Sequence, residues 1–264
     1  MRVPIMALLL AVIGATQAFS QRVIAYHQGE KNADIEDFYW QYVTDVNYAF
    51  AQVHSNGTVQ FYAQGADQFT INNKLANFKD FKALAIDNGV KFHISVGGAG
   101  AVQASYFKQN VATDAKAGVL AQNMVDFAVA NGFSGIDIDW EPESDGHADS
   151  PSSSERTLLA KKISEAITAS GQSLELSAAI FPFKWNNDYV TSNCYDYFDH
   201  LNLMVYDFGG NDYDHHSDKM ANLAGWNDPE ISFDYSLMNV EEASISTTCE
   251  LLQTSLILRV RPPS

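Results

Sequence analysis

Short apolar runs alternate along the chain with longer stretches of helical period, the arrangement expected of a parallel α/β architecture. The runs Arg22–Tyr26, Val46–Ala51, Lys91–Val96, Gly135–Trp140, Leu174–Ile180 and His200–Tyr206 read as strands. One intervening helix starts at Thr113 or Asp114, carries Val119, Leu120, Met124, Phe127 and Ala128 on one face, and stops at Asn131-Gly132, where a left-handed cap is available. A second begins at the serines 152–154 and sets Leu159, Ile163 and Ile167 at four-residue spacing. Both lie between strands, where crossover helices belong.

Six such units fit either a doubly wound sheet or a (β/α)8 barrel. The polar residues decide for the barrel. Tyr26, Ser95, Asp137 to Glu141, Tyr206 and Asp207 collect at the C-terminal ends of several strands, whereas a doubly wound sheet would gather them at one switch point. The expected fold is therefore an α/β, (β/α)8 barrel that is incomplete: strands one to six are present, Ser255–Val260 is left to serve as the seventh, and no eighth is found. Seven strands leave edges that an eight-stranded barrel would close. Residues 19–242 are assigned to the barrel and residues 243–264 to an atypical tail, read as a foreign or misread end of a longer gene. No internal repeat or linker argues for a second domain.

The first residues place Arg2 before an apolar run from Ile5 to Ile13 and small residues ending at Ala18, the plan of a secretory leader spanning residues 1–18. Export and an extracellular location are expected, and no later run is apolar long enough to cross a bilayer. The formal net charge is −16, and loss of Arg2 with a leader would make it one unit more negative. Nucleic acid and anionic membrane are poor partners for such a surface. A neutral polymer remains compatible, and a monomer is expected. Cys194 and Cys249 are able to pair in an oxidising compartment but have no metal-ligand spacing. Asn56-Gly57-Thr58 reads either as a glycosylation sequon or as a turn.

The informative segment is Phe133-Ser-Gly-Ile-Asp-Ile-Asp-Trp-Glu141, in which three acids recur at every second residue of an apolar run. On a strand that period sends all three to one face, about 6.5–7 Å apart in succession, with Asp137 deepest and Glu141 at the mouth. Two buried carboxylates in tandem do not both ionise cheaply, so one is expected to hold a proton. An exposed antiparallel strand would alternate too, but Ile136, Ile138 and Trp140 on the other face indicate a strand covered by helices. A calcium loop fails, because Pro142 stands where that loop needs glycine and Ala148 where it needs glutamate.

This segment resembles the Asp-x-x-Asp-x-Asp-x-Glu signature on the fourth barrel strand of the family 18 glycoside hydrolases, the chitinases and their relatives. Val46-Asn-Tyr-Ala-Phe50 is similar to the family's second strand, Ser95-Val-Gly-Gly98 to its third, Leu176-Ser-Ala-Ala179 to its fifth and Met204-Val-Tyr-Asp207 to its sixth. These stretches run in the family's order over roughly residues 22 to 210. The resemblance implies a chitin or N-acetylglucosamine oligosaccharide substrate and a substrate-assisted, retaining hydrolysis, an exception to the usual two-carboxylate scheme. Glu141 would protonate the glycosidic oxygen, and the sugar's own N-acetyl oxygen would attack the anomeric carbon. Asp139 would orient the acetamido N–H, Asp137 would share a proton with Asp139, and Tyr206 would bond the acetamido oxygen. Tyr26, Phe50, Ser95, Gly97, Gly98, Trp140, Met204 and Asp207 would contact substrate or line the floor. No metal and no organic cofactor is implied.

Other signals are weaker. Gly97-Gly98-Ala99-Gly100 lacks the Gly-Lys-Ser/Thr of a phosphate loop and reads as close packing. Asp212, Asp214, His215, His216 and Asp218 read as a solvated loop or a divalent site. His93 reads as a hydrogen-bonded core histidine, and Phe181, Phe183 and Trp185 as sugar-stacking or loop residues. Ser134 replaces the first Asp of the signature, and Asp234-Tyr-Ser236 resembles the family's sixth crossover helix. Two other activities fit the same motifs: a non-catalytic sugar-binding protein, against which Glu141 argues and for which the short C-terminus argues, and an endo-β-N-acetylglucosaminidase acting on glycoprotein glycans.

Overall fold

The β-branched and apolar runs pair into one sheet in the computed structural model, which describes residues 22–29, 40–141, 150–180, 194–204, 240–244 and 255–260. The elements in chain order are β1 (Ile24–Gln28), β2 (Asp45–Val53), β3 (Val59–Gln60), α1 (Gln68–Asp87), β4 (Lys91–Gly97), α2 (Ala101–Val111), α3 (Asp114–Asn131), β5 (Gly135–Asp139), α4 (Ser153–Ser170), β6 (Glu175–Ile180), β7 (His200–Met204), β8 (Val240–Ser244) and β9 (Ser255–Val260). Neighbouring strands follow the order β1-β2-β4-β5-β6-β7, and every pair in that series is parallel. These six strands curl as the first six of a (β/α)8 barrel do.

Beyond β7 the pattern changes. The expected seventh strand, Ser255–Val260, does lie beside β7, but it runs antiparallel to it, and β8 pairs antiparallel on its far side. A parallel barrel strand needs a crossover of about a dozen residues or more. Only residues 245–254 join β8 to β9, so the two close as a hairpin instead.

Strand ends also differ from the sequence expectation. β1 starts at Ile24 rather than Arg22 and continues to Gln28, because the carbonyl of Val23 already accepts the amides of Thr44 and Asp45 while the Arg22 side chain turns under the sheet. β2 extends to Val53 because Gln52 and Val53 pair with β3 in a short hairpin. At its tip Asn56 accepts hydrogen bonds from the amide and hydroxyl of Thr58, so the turn reading of Asn56-Gly57 describes the local backbone.

The helices are capped as their sequences dictate. Thr113 caps α3 by accepting from the Lys116 amide, and Gly132 ends it at φ +69°. Ser152 and Glu155 form a reciprocal capping box at the start of α4. In α3 the buried stripe is Ala117, Leu120, Ala121, Met124, Val125 and Ala128. Val119, expected on that face, is exposed, since one residue of helix turns it about 100° away from Leu120. α1 and α2, which the periodicity leaves unmarked, cover β2 and β4. Between α1, α3 and the sheet lies an aromatic cluster in which Phe61 stacks on Phe78 at 4.1 Å and Phe92 meets Phe133 in a tilted contact at 4.9 Å.

Candidate active site

All five residues of β5 are buried, with Ile136 and Ile138 under the helices. The strand period then turns Asp137 and Asp139 to the other face, toward the interior of the curled sheet. Asp137 is fully enclosed. Its Oδ2 accepts from the hydroxyls of Tyr26 and Ser95, each at 2.8 Å, and its Oδ1 from the hydroxyl of Ser177 at 2.7 Å and Nδ2 of Asn202 at 3.0 Å. The donors come from β1, β4, β6 and β7, so four strands of the sheet converge on one carboxylate. Burial raises the Asp137 carboxyl above the ordinary aspartate range, an effect that the four donated bonds oppose without cancelling.

Asp139, one pleat higher, is raised well above the ordinary aspartate range, first by burial and then by the neighbouring charges of Glu141 and Asp137. It shares a side-chain hydrogen bond with Glu141, while its Oδ1 has no hydrogen-bond partner among the described residues. Glu141 follows the end of β5 and is half-buried, at the border between the enclosed strand and solvent.

Backbone shape brings β4 against this face. Gly97 and Gly98 have φ of +121° and +89°, which side chains rarely adopt. The Gly98 amide donates to the Asp139 carbonyl at 2.9 Å, and a Cβ on Gly97 would collide with that same carbonyl. Both glycines are buried and serve close packing of β4 on β5. Phe50 packs its ring against Gly98 and stays half-exposed at a groove of about 400 Å³, lined also by Gln28, Gln52, Tyr62, Thr70 and Lys74.

One residue assigned to substrate contact is elsewhere. Trp140 is only 3% exposed and stacks on Phe107 of α2 at 5.1 Å. The alternation that points Asp139 inward points Trp140 outward into the helix layer, so it belongs to the core. Met204 is buried at the end of β7. Tyr206 and Asp207 lie outside the described residues, as do residues 1–18, the acidic and histidine cluster of 212–218, Phe181, Phe183, Trp185, 234–236 and Cys249. Ser177 and Asn202, absent from the sequence-derived set, are direct partners of Asp137. The available signal was the period of Glu175-Leu-Ser177 and His200-Leu-Asn202, polar at alternate positions in otherwise apolar strands.

A second polar group closes the opposite, N-terminal end of the strands. Arg22 Nη2 lies 2.5 Å from both Asp45 Oδ1 and Glu175 Oε2, and Lys91 Nζ lies 2.5 Å from Glu175 Oε1. His93 and His200 complete the group, both 1% exposed or less. His93 is the buried core histidine expected, but its Nε2 makes no hydrogen bond among the described residues and sits 3.7 Å from Asp45. Burial lowers His93 to about 4 and takes His200 well below the ordinary imidazole value. Ligand atoms of Asp45, His93 and Glu175 lie within 4.8 Å of one another, yet the Arg22 guanidinium already pairs with both carboxylates and supplies the cation.

The model of the family described as glycosyl hydrolases family 18 matches residues 22–253 of the chain. A probable endochitinase of Caenorhabditis elegans is 28% identical over 232 residues, covering 83% of this chain and 35% of that protein. Among solved structures, a chitinase from Bacteroides thetaiotaomicron superposes with a TM-score of 0.57 at 23% identity, over 72% of this chain and 55% of that one. A family 18 chitinase from Cycas revoluta, in a mutant form complexed with (GlcNAc)4, gives 0.56 at 19% identity, over 71% and 55%. Both likenesses concern the fold. The chain thus spans 35% of the curated relative's length and 55% of each of these two solved chains. With a family match that runs through the strands from β1 to β8, the chain belongs to the glycosyl hydrolases family 18.

Proposed function

We propose that the chain is an exported chitinase that hydrolyses β-1,4-linked N-acetylglucosamine polymers. The observation that carries this reading is the graded set of acids along and just beyond β5: Asp137 enclosed and held by four donors, Asp139 above it with a raised pKa, and Glu141 at the solvent border in hydrogen-bond contact with Asp139. Glu141, at the border with solvent, would give a proton to a bridging oxygen entering from that side, as a general acid does. Asp139 beside it would orient the acetamido N–H of the substrate. In the substrate-assisted scheme the acetamido oxygen attacks the anomeric carbon as the glycosidic bond breaks. Water then opens the cyclic intermediate with Glu141 as base, so the anomeric configuration is retained. The (GlcNAc)4 complex of the Cycas revoluta chitinase supports the same class of ligand here.

The test uses the full chain with a chromogenic N-acetylglucosamine oligomer, beside Glu141→Gln. Turnover in the wild type that falls by about 1,000-fold or more in the variant supports the reading, and NMR of the first-formed anomer checks retention. Binding of the oligomer without turnover by either protein makes the chain a sugar-binding protein instead. Release of high-mannose glycans from a glycoprotein, with no action on the oligomer, would replace chitin by glycoprotein as substrate. Appearance of the protein in the medium of a secreting host, with residues 1–18 absent by mass, tests export.

A further inference from the structure

We propose that the N-terminal end of the sheet holds a second site, for a divalent transition ion of the zinc type, which Asp45, His93, Glu175 and His200 ligate when the Arg22 guanidinium swings away. Four strands meet there. Asp45 opens β2, Glu175 opens β6, His200 opens β7, and His93 is the third residue of β4. The register sets His93 beside Gly135 and Gly135 beside Glu175. Gly135 has no side chain, so the imidazole and the carboxylate reach toward each other across β5 with nothing from that strand between them. Ligand atoms of Asp45, His93 and Glu175 accordingly lie within 4.8 Å of one another.

The chemistry of the donors fits such an ion. Nη2 of Arg22 lies 2.5 Å from Asp45 Oδ1 and from Glu175 Oε2, between two carboxylates where a bound cation would sit. Lys91 holds Oε1 of Glu175, which leaves Oε2 for the ion. Nδ1 of His200 lies 3.3 Å from Nη1 of Arg22. A guanidinium only donates, so this Nδ1 carries a lone pair. Nε2 of His93, in a ring 1% exposed, has no hydrogen-bond partner among the described residues. It stands 3.7 Å from Asp45 Oδ1, and His200 Nδ1 stands 4.0 Å from Glu175 Oε2. Ligands about 2.0–2.2 Å from a tetrahedral zinc are about 3.5 Å apart, so small side-chain turns close both gaps. Burial takes His93 down to about 4 and His200 well below its ordinary value, which keeps both rings in the neutral form that binds metal. Two imidazoles with two carboxylates suit zinc, whereas calcium and magnesium take oxygen ligands. Arg22 alone of the cluster stands outside the strands, ahead of β1, with its side chain 14% exposed. Rotation of that side chain therefore frees the four ligands without moving the sheet.

The test uses the full chain, stripped of metal with EDTA, and Zn2+ alone as the probe. It needs no turnover, so its result is independent of the proposed function. Wild type labelled with 15N-histidine is titrated with Zn2+ and followed by NMR, with His93→Gln and His200→Gln to assign the two rings, while calorimetry gives stoichiometry and affinity. One equivalent is expected to bind, and the His93 Nε2 and His200 Nδ1 signals are expected to move together as the ion takes their lone pairs. Arg22→Ala should bind about 10-fold or more tightly than wild type, because no guanidinium competes for the ligands. Zn2+ should also raise its melting temperature, with EDTA reversing the rise. Arg22→Met, which keeps the apolar stem, replaces it if the alanine variant does not fold. Wild-type signals of His93 and His200 that stay fixed up to millimolar Zn2+ would overturn the inference. Equal affinity in wild type and the Arg22 variants, or Zn2+ that moves only other histidines such as His215 and His216, would do the same.

Discussion

Arg22 precedes the first strand and Glu175 opens β6, yet Nη2 of the one lies 2.5 Å from Oε2 of the other, and the same nitrogen lies 2.5 Å from Asp45 on β2. The guanidinium thus ties the neighbours β1 and β2 to β6 at their N-terminal ends. Removing one partner of a mostly buried ion pair leaves an uncompensated charge, which costs on the order of 3 kcal/mol. Arg22→Ala is expected to lower the melting temperature by roughly 6–12 °C. Arg22→Lys should recover only part of this, since an ammonium lacks the planar fork that reaches two carboxylates. Thermal melts by circular dichroism at neutral pH check both. A melt within a degree of wild type for Arg22→Ala would mean that the cluster contributes nothing net.

Asp139 poses the opposite case, a group that the fold makes uncomfortable. Its folded pKa is raised by burial and by Glu141 and Asp137, so the folded chain holds this proton more tightly than the unfolded chain does. The sign follows: stability is lost as pH rises from the unfolded value of about 3.9 toward the folded one. Asp139→Asn removes that loss and is expected to be more stable than wild type at pH 7 by roughly 0.5–2 kcal/mol, the range in which strained functional positions are relieved. The advantage should shrink toward pH 4, and hydrolysis should be lost. Paired melts at the two pH values decide it; a variant no more stable than wild type at pH 7 would show that Asp139 is not strained.

Acid should weaken the fold through its histidines. Burial lowers His93 and His27 each to about 4, and His200 lies well below its ordinary value for the same reason. In each, the unfolded chain takes up the proton first. The stability they hold is complete above about pH 6.5 and is lost as pH falls from there through about 4. For His93 alone the loss is on the order of 3 kcal/mol. His93→Gln is expected to flatten the fall of melting temperature across that window. Parallel slopes for variant and wild type would place the acid sensitivity elsewhere.

Much of this architecture was legible because the strands are buried on both faces and so read as continuous apolar runs. The α3 and α4 boundaries were equally plain, because Thr113, Ser152 and the glycines that follow are capping residues. The acids of β5 stood out for a different reason, since carboxylates are rare in such a run and their period was intact. Trp140 entered the substrate set through the resemblance alone, while the alternation that puts it on the face of Ile136 and Ile138 is the one that sends it to Phe107. Ser177 and Asn202 escaped notice because a single small polar residue in an apolar strand carries no chemistry by itself. Their role exists only where β6 and β7 meet Asp137. The Arg22 cluster was hidden similarly, its members lying far apart in the chain and joining only at the base of the sheet. β9 took the wrong direction in the sequence reading because periodicity says nothing about whether a strand runs up or down.

The complete burial of β5 has a consequence for anyone wishing to re-engineer this scaffold. A slip of one position would drive Asp137 and Asp139 into the oily layer and Ile136 and Ile138 into the cup, so the stretch from Gly135 to Asp139 tolerates neither insertion nor deletion.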